Sequence, residues 1–162
     1  MINTYTYYTD YGQITISEEN DCIIEMTLGS SRLNAHNITN IESSLIKKAH
    51  DQLDEYFKGL RKSFDLPLAP KGTEFQKKVW NALLKIPYGS TCSYKDIAVM
   101  IGNEKACRAV GGANNKNPIY IVIPCHRVIG ANGSLVGYGS GLELKKRLLD
   151  LEQNNITTMN NQ

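Results

Sequence analysis

Residues 119–130 read IYIVIPCHRVIG, and the reading of this stretch decides the fold of the C-terminal half. Ile119 to Ile123 form an unbroken apolar run, short enough for a buried strand. Pro124 ends it, and Cys125, His126 and Arg127 follow at once. A thiol becomes a strong nucleophile only as the thiolate, and its unperturbed pKa is about 8.5. A neighbouring imidazole can take the proton, directly or through one water. The imidazole in turn needs a carboxylate to fix its tautomer and to stabilise its cationic form. On a regular strand Cys125 and His126 would point to opposite faces. Because Pro124 stops the strand, a turn can bring both to one side. Glu152, on the last helix of the chain, is the carboxylate selected here. The plainer alternative is a cysteine acting as a small buried hydrophobe, with Arg127 as a surface charge or a structural ion-pair partner.

Upstream, two short helices are expected. Thr73 and Gln76 have capping-box spacing and open a helix that turns Phe75, Val79, Trp80, Leu83 and Leu84 inward. Ser93 and Asp96 have the same spacing and open a second helix containing Ile97, Ala98 and Ile101, stopped by Gly102 and Asn103. A third helix, EKACRAVGGANN, follows directly, so the pair reads as a helix-turn-helix candidate. Gly111 and Gly112 inside that helix cost about 1 kcal/mol each relative to Ala. Close approach of another backbone would explain them, and so would tight packing on the protein's own core. Downstream, Asn132-Gly133 is a turn signal, GYGSG at 137–141 is a loop, and Ser140 with Glu143 caps a last helix ending near Glu152.

The N-terminal part has a different period. NTYTYY, QITIS and CIIEMTL alternate, separated by TDYG and EENDC, which predicts a small antiparallel sheet. Thr39 to Gly59 reads as a helix with Ile41, Leu45, Ala49, Leu53 and Tyr56 on one stripe and a capping box from Thr39 to Glu42. The fold class is therefore α/β in the α+β sense. Residues 1–70 form a strand-plus-helix domain with a proline-containing linker. Residues 71–155 form a mainly helical domain with a helix-turn-helix and a short strand or hairpin carrying Cys125. Residues 156–162 form a polar tail.

With 162 residues, 41% hydrophobic and 21% charged, the chain is globular rather than disordered. No apolar run is long enough to cross a bilayer, and MINTYTYYTD has no signal-peptide pattern, so a cytoplasmic location is expected. Cys22, Cys92, Cys107 and Cys125 form no C-x-x-C pair and have no histidine at metal-ligand spacing. Neither a metal nor a disulfide framework is expected. The net charge of +2 is uneven. Residues 1–70 carry 6 Lys/Arg and 10 Asp/Glu, whereas residues 71–162 carry 12 and 6. A basic C-terminal half suits an anionic partner, nucleic acid first, or simply a solvated face.

In order and at family-like spacing, GTEFQKKVW, IPYGSTCSYKDIA, RAVGGA, NP, IPCHRV, GYGSG and LLDLE resemble the O6-alkylguanine-DNA alkyltransferases, or methylated-DNA–protein-cysteine methyltransferases. The likeness covers nearly all of residues 72–152. It implies direct-reversal DNA repair: one irreversible transfer of a methyl or other alkyl group from O6 of guanine, and O4 of thymine, to Cys125. The thioether formed is a very poor leaving group, so the protein acts once. The resemblance implies no cofactor.

Residue by residue, it makes His126 the base, Glu152 the group that holds the imidazole, and Asn117 the brace of the active-site segment. Tyr94 donates to the base ring, Tyr138 forms the aromatic wall, Gly139 offers a backbone N–H to O6, and Val128 lines the substrate. Arg108 enters the duplex in place of the extruded nucleotide. Ala109, Gly111, Gly112, Asn114, Asn115 and Lys116 complete the DNA-facing helix. The implied partner is double-stranded DNA bearing O6-alkylguanine, gripped through its minor groove with little regard to sequence, by a monomer. Three rivals remain at this point: a lesion-binding relative without chemistry, a thiol hydrolase and a helix-turn-helix regulator. The first lacks the acceptor cysteine, and the third needs no buried thiol.

Overall fold

The computed structural model of the chain describes residues 1–136 and 141–160, the last three by backbone alone. It divides into two units, one of residues 1–71 with 118–120 and one of residues 72–117 with 121–162.

In the first unit β1 (Ile2–Thr9), β2 (Gly12–Glu19) and β3 (Cys22–Leu28) form antiparallel neighbours. The β2–β3 turn places Asn20 and Asp21 at φ of 52° and 61°, a left-handed pair that short polar residues tolerate. A three-residue β4 (Ile38–Asn40) adds parallel to β1, giving the order β3-β2-β1-β4. The helix α1 (Ser44–Phe57) lies on this sheet and buries Ile46, Ala49, Leu53 and Tyr56. It starts later than expected. Thr39 belongs to β4, and Ser43, not Thr39, caps the helix by accepting from the Ile46 N–H. Ile41 therefore lies outside the helix and is 48% exposed. The free edge of β3 is covered by two short parallel segments, with bridges at Ile23–Leu68 and Met26–Ile119.

In the second unit α2 (Glu74–Leu83) and α3 (Tyr94–Met100) both begin with complete capping boxes, Thr73 with Gln76 and Ser93 with Asp96. Val79, Trp80 and Leu83 are buried, whereas Leu84 stands at the helix end, 45% exposed. The third helix, α4 (Cys107–Asn115), packs against α2 and α3. The Trp80 indole N–H anchors it by donating to the Ala113 carbonyl at 2.9 Å.

The expected strand over 119–123 is where the chain departs most. All five residues are buried, but only Ile119 and its neighbours bridge to β3, and Ile121 takes φ of 74°. An extended run cannot pass through a left-handed β-branched residue, so the segment turns instead. Cys125–Arg127 form one turn of 3-10 helix. A two-residue strand β6 (Val128–Ile129) follows and pairs in parallel with β5 (Cys92–Ser93). The last helix, α5 (Leu142–Asn160), passes well beyond Glu152, so residues 156–160 are helical rather than tail. Its expected cap at Ser140 lies outside the described residues.

Candidate active site

The 3-10 turn gathers the chemistry. Cys125 is 2% exposed, and its N–H donates to the Ile123 carbonyl at 2.8 Å. The Asn117 Nδ2 donates to the same carbonyl, also at 2.8 Å. The side chain two residues past α4 thus holds the backbone just before the thiol. Asn114 departs from the expected DNA-facing position. It is 1% exposed, and its Nδ2 reaches the Cys125 carbonyl at 3.4 Å. Asn114 falls on the inward stripe of α4 with Val110 and Ala113, so it belongs to the turn and not to the outer face.

His126 and Glu152 are both fully buried, with Nε2 and Oε2 2.6 Å apart. Arg127 closes a fork on the same carboxylate, Nε to Oε1 at 2.8 Å and Nη2 to Oε2 at 3.0 Å. Its remaining Nη1 donates to the Ile86 carbonyl at 2.8 Å, and its guanidinium lies 5.7 Å from the Tyr88 ring centre. The Gly89 N–H donates to Glu152 Oε1 at 3.1 Å. Gly89 has φ of 79°, and a Cβ there would meet Ile156 of α5 at 1.8 Å. Glycine is therefore required at this turn.

Burial alone would raise the Glu152 pKa. The hydrogen bonds and charge from His126 and Arg127 outweigh it and hold the carboxyl at about 2. Burial also pushes the His126 pKa down, more than the carboxylate lifts it. The stable arrangement is a carboxylate accepting from Nε2–H of a neutral ring. That assignment leaves Nδ1 with its lone pair, and Nδ1 is buried with no hydrogen-bond partner among the described residues. A buried imidazole with one nitrogen anchored and the other open has a lone pair available to accept a proton, one residue from a thiol.

Tyr94 is the first residue of α3, and its hydroxyl donates to the Val136 carbonyl at 3.1 Å. Its pKa is raised, first by burial and then by the Cys125 sulfur, so the phenol stays protonated as a donor. Val128 is fully buried on β6. Tyr138 and Gly139 lie outside the described residues. On α4, Arg108, Ala109, Gly112 and Asn115 are exposed, as is the capping Lys116, and their spacing puts them on one stripe. Gly111 is half-buried, its Cβ direction 3.8 Å from the Tyr94 ring. A Cβ at Gly112 would meet nothing within 4 Å. The protein's own core therefore does not require either glycine, which disposes of the packing explanation.

Two residues central to this arrangement escaped the sequence reading. Arg127 was open between a surface charge and an ion-pair partner, and it is the latter. Lys145 had no assignment, yet it is fully buried, bonded to the Val128 and Val136 carbonyls. The available signal was helical spacing: Lys145, Leu148 and Glu152 share one face of α5.

Residues 3–70 match the family model described as 6-O-methylguanine DNA methyltransferase, ribonuclease-like domain, and residues 74–154 match the DNA binding domain of the same family. A methylated-DNA–protein-cysteine methyltransferase of Methanosarcina barkeri is 62% identical over 110 residues, covering 68% of this chain and 70% of that protein. The constitutive one of Bacillus subtilis is 46% identical over 159 residues, covering 94% and 96%. Among solved structures, Mycobacterium tuberculosis OGT in complex with DNA superposes with a TM-score of 0.88 at 42% identity, covering 94% of each chain.

Proposed function

The chain belongs to the 6-O-methylguanine DNA methyltransferase family and repairs DNA by transferring an alkyl group to a cysteine, and from that premise we propose that Cys125 is the acceptor and O6-alkylguanine the substrate. The observation that carries this reading is the buried His126 ring, tied through Nε2 to Glu152 and open at Nδ1.

The steps follow from the residues. Glu152, kept anionic by Arg127, fixes the His126 tautomer. Nδ1 takes the Cys125 proton, directly or through one water. The thiolate attacks the alkyl carbon in line with O6. The S–C bond forms as the C–O bond breaks, and the departing electron pair stays on the guanine, which Tyr94 assists by turning its hydroxyl from the Val136 carbonyl to the ring. The product thioether cannot leave again, so each molecule turns over once.

O6 is inaccessible in stacked duplex, so the nucleotide must swing out, at a cost of about a few kcal/mol. The exposed α4 stripe supplies the means. Arg108 fills the gap, Gly112 lets sugar-phosphate approach, and Asn115 and Lys116 contact the backbone. A small-residue stripe suits the minor groove, where sequence information is sparse. Binding as a monomer is part of the same proposal.

Intact mass after mixing with duplex containing O6-methylguanine tests the reading. The expected result is one added methyl per chain, mapped to Cys125 and abolished in Cys125→Ser. A methyl found on another residue, or none, would overturn it.

A further inference from the structure

Around the 3-10 turn the charges do not balance in the resting state. Arg127 and Glu152 neutralise each other, and His126 is neutral. Lys145 is fully buried, yet its ammonium donates only to two neutral carbonyls, those of Val128 and Val136. Among the described residues no carboxylate pairs with it. A buried ammonium without a counter-anion is costly, and such a group is retained where an anion appears in the working cycle. Val128 lies three residues beyond Cys125 and ends the same turn.

We propose that Lys145 is the counter-cation of the Cys125 thiolate, a positioning residue that lets the thiol ionise without taking part in the transfer itself. It rests on Cys125 being the acceptor. The α5 face holds both halves of the device: Glu152, two helical turns along, orients the base, and Lys145 faces the anion that the base creates. The second carbonyl extends the role, because Val136 O accepts from both Lys145 and the Tyr94 hydroxyl. One carbonyl thus ties the ammonium to the tyrosine that the proposed mechanism turns toward the base ring. Burial lowers the Lys145 pKa, and the charge of a Cys125 thiolate acts against that shift. Titratable groups on the surrounding elements include His126 on the same turn and Tyr94 on α3, both neutral, and the Arg127–Glu152 pair.

The experiment follows the full chain as wild type, Lys145→Gln and Lys145→Arg, measuring carboxamidomethylation of Cys125 by iodoacetamide from about pH 6 to 10. Glutamine keeps a donor and removes the charge. It should move the rate inflection up by about one pH unit, about tenfold slower at neutral pH and converging with wild type in alkali. Arginine should hold the inflection close to wild type. An unmoved inflection in Lys145→Gln, an equal loss at every pH, or an equal shift in Lys145→Arg would overturn the proposal.

Coupling is reciprocal, so a measurement that needs no Lys145 variant stands beside it. The Lys145 side chain, titrated by NMR, should show a lower pKa in Cys125→Ser than in wild type, and an unchanged value would also overturn it. Failure of methyl transfer in wild type would sink the acceptor reading instead. Normal transfer with an unmoved inflection would remove Lys145 alone.

Discussion

Two buried carboxylates, one in each unit, show what burial does and does not say about function. Glu25 on β3 is 3% exposed and accepts from the Ser17 hydroxyl at 2.9 Å, the Ser31 hydroxyl at 2.7 Å and the Arg32 N–H at 2.8 Å. These partners are neutral, and they fasten the loop after β3. Glu152 is equally buried, but its partners are a guanidinium, a backbone N–H and an imidazole whose second nitrogen is open. Glu25 closes a network of neutral donors, whereas Glu152 joins a cation to the ring of His126, the residue next to Cys125. What separates the two carboxylates is the character of their partners, neutral donors at Glu25 and a guanidinium with an imidazole at Glu152, not the degree of burial.

The strongest way to break the comparison is to remove Glu152. In Glu152→Gln the Arg127 guanidinium loses its anion in the interior, which costs about 3–5 kcal/mol. His126 also loses the partner that fixes its tautomer. Methyl transfer should fall by about a hundredfold or more, read from single-turnover time courses. A variant that transfers at the wild-type rate would deny Glu152 its role.

Acid should separate the same two sites. The Glu152 pKa is depressed from 4.5 to about 2 in the fold. Its contribution is therefore complete above about 4.5 and is lost as pH falls from there toward 2, about 3 kcal/mol in all. His126 adds an earlier loss of the same sign. Its folded pKa lies below 6.5, so below that pH the unfolded chain binds the extra proton and stability declines. Thermal melts across this range should show two acid steps in wild type, with the lower one reduced in Glu152→Gln. A profile identical in both proteins would contradict the assignment.

Glu25→Ala sharpens the contrast from the other side. It leaves two hydroxyls and one N–H without their acceptor, a loss of about 1–3 kcal/mol, and should lower the melting temperature while transfer keeps its wild-type rate. A large drop in rate at the permissive temperature would mean that the first unit shapes the chemistry.

Local rules were legible where the structure obeys them locally. Thr73 with Gln76 and Ser93 with Asp96 are capping boxes in sequence and in space, because both partners lie within one turn. The three long strands were readable from their alternation. What alternation did not reveal is that Thr15, Ser17, Glu25 and Thr27 are buried as well; their sheet face is covered by later chain, which no strand period records. The run Ile119–Ile123 was legible as buried but not as bent. Short apolar stretches do not encode their dihedrals, and the left-handed Ile121 is imposed by tertiary context. Glu152 was reached through the chemistry of its partner and the family resemblance. Lys145 was hidden in the KKR run at 145–147 of α5, where Lys146 and Arg147 are exposed and only the helical period separates one lysine from the next.

The smallest effect tests the outer face rather than the interior. Gly112 sits mid-helix, where alanine is favoured by about 1 kcal/mol, and a Cβ there meets nothing of the protein. Gly112→Ala should therefore raise the melting temperature slightly. If the glycine exists for a partner's backbone, the same substitution should weaken binding to O6-methylguanine duplex, measured by fluorescence anisotropy at fixed salt. Gly111→Ala is the companion, since its Cβ would only touch the Tyr94 ring at 3.8 Å. A gain in stability paired with a loss of duplex affinity identifies a residue kept for its partner and not for its fold. A gain in stability with unchanged affinity would remove α4 from the DNA interface.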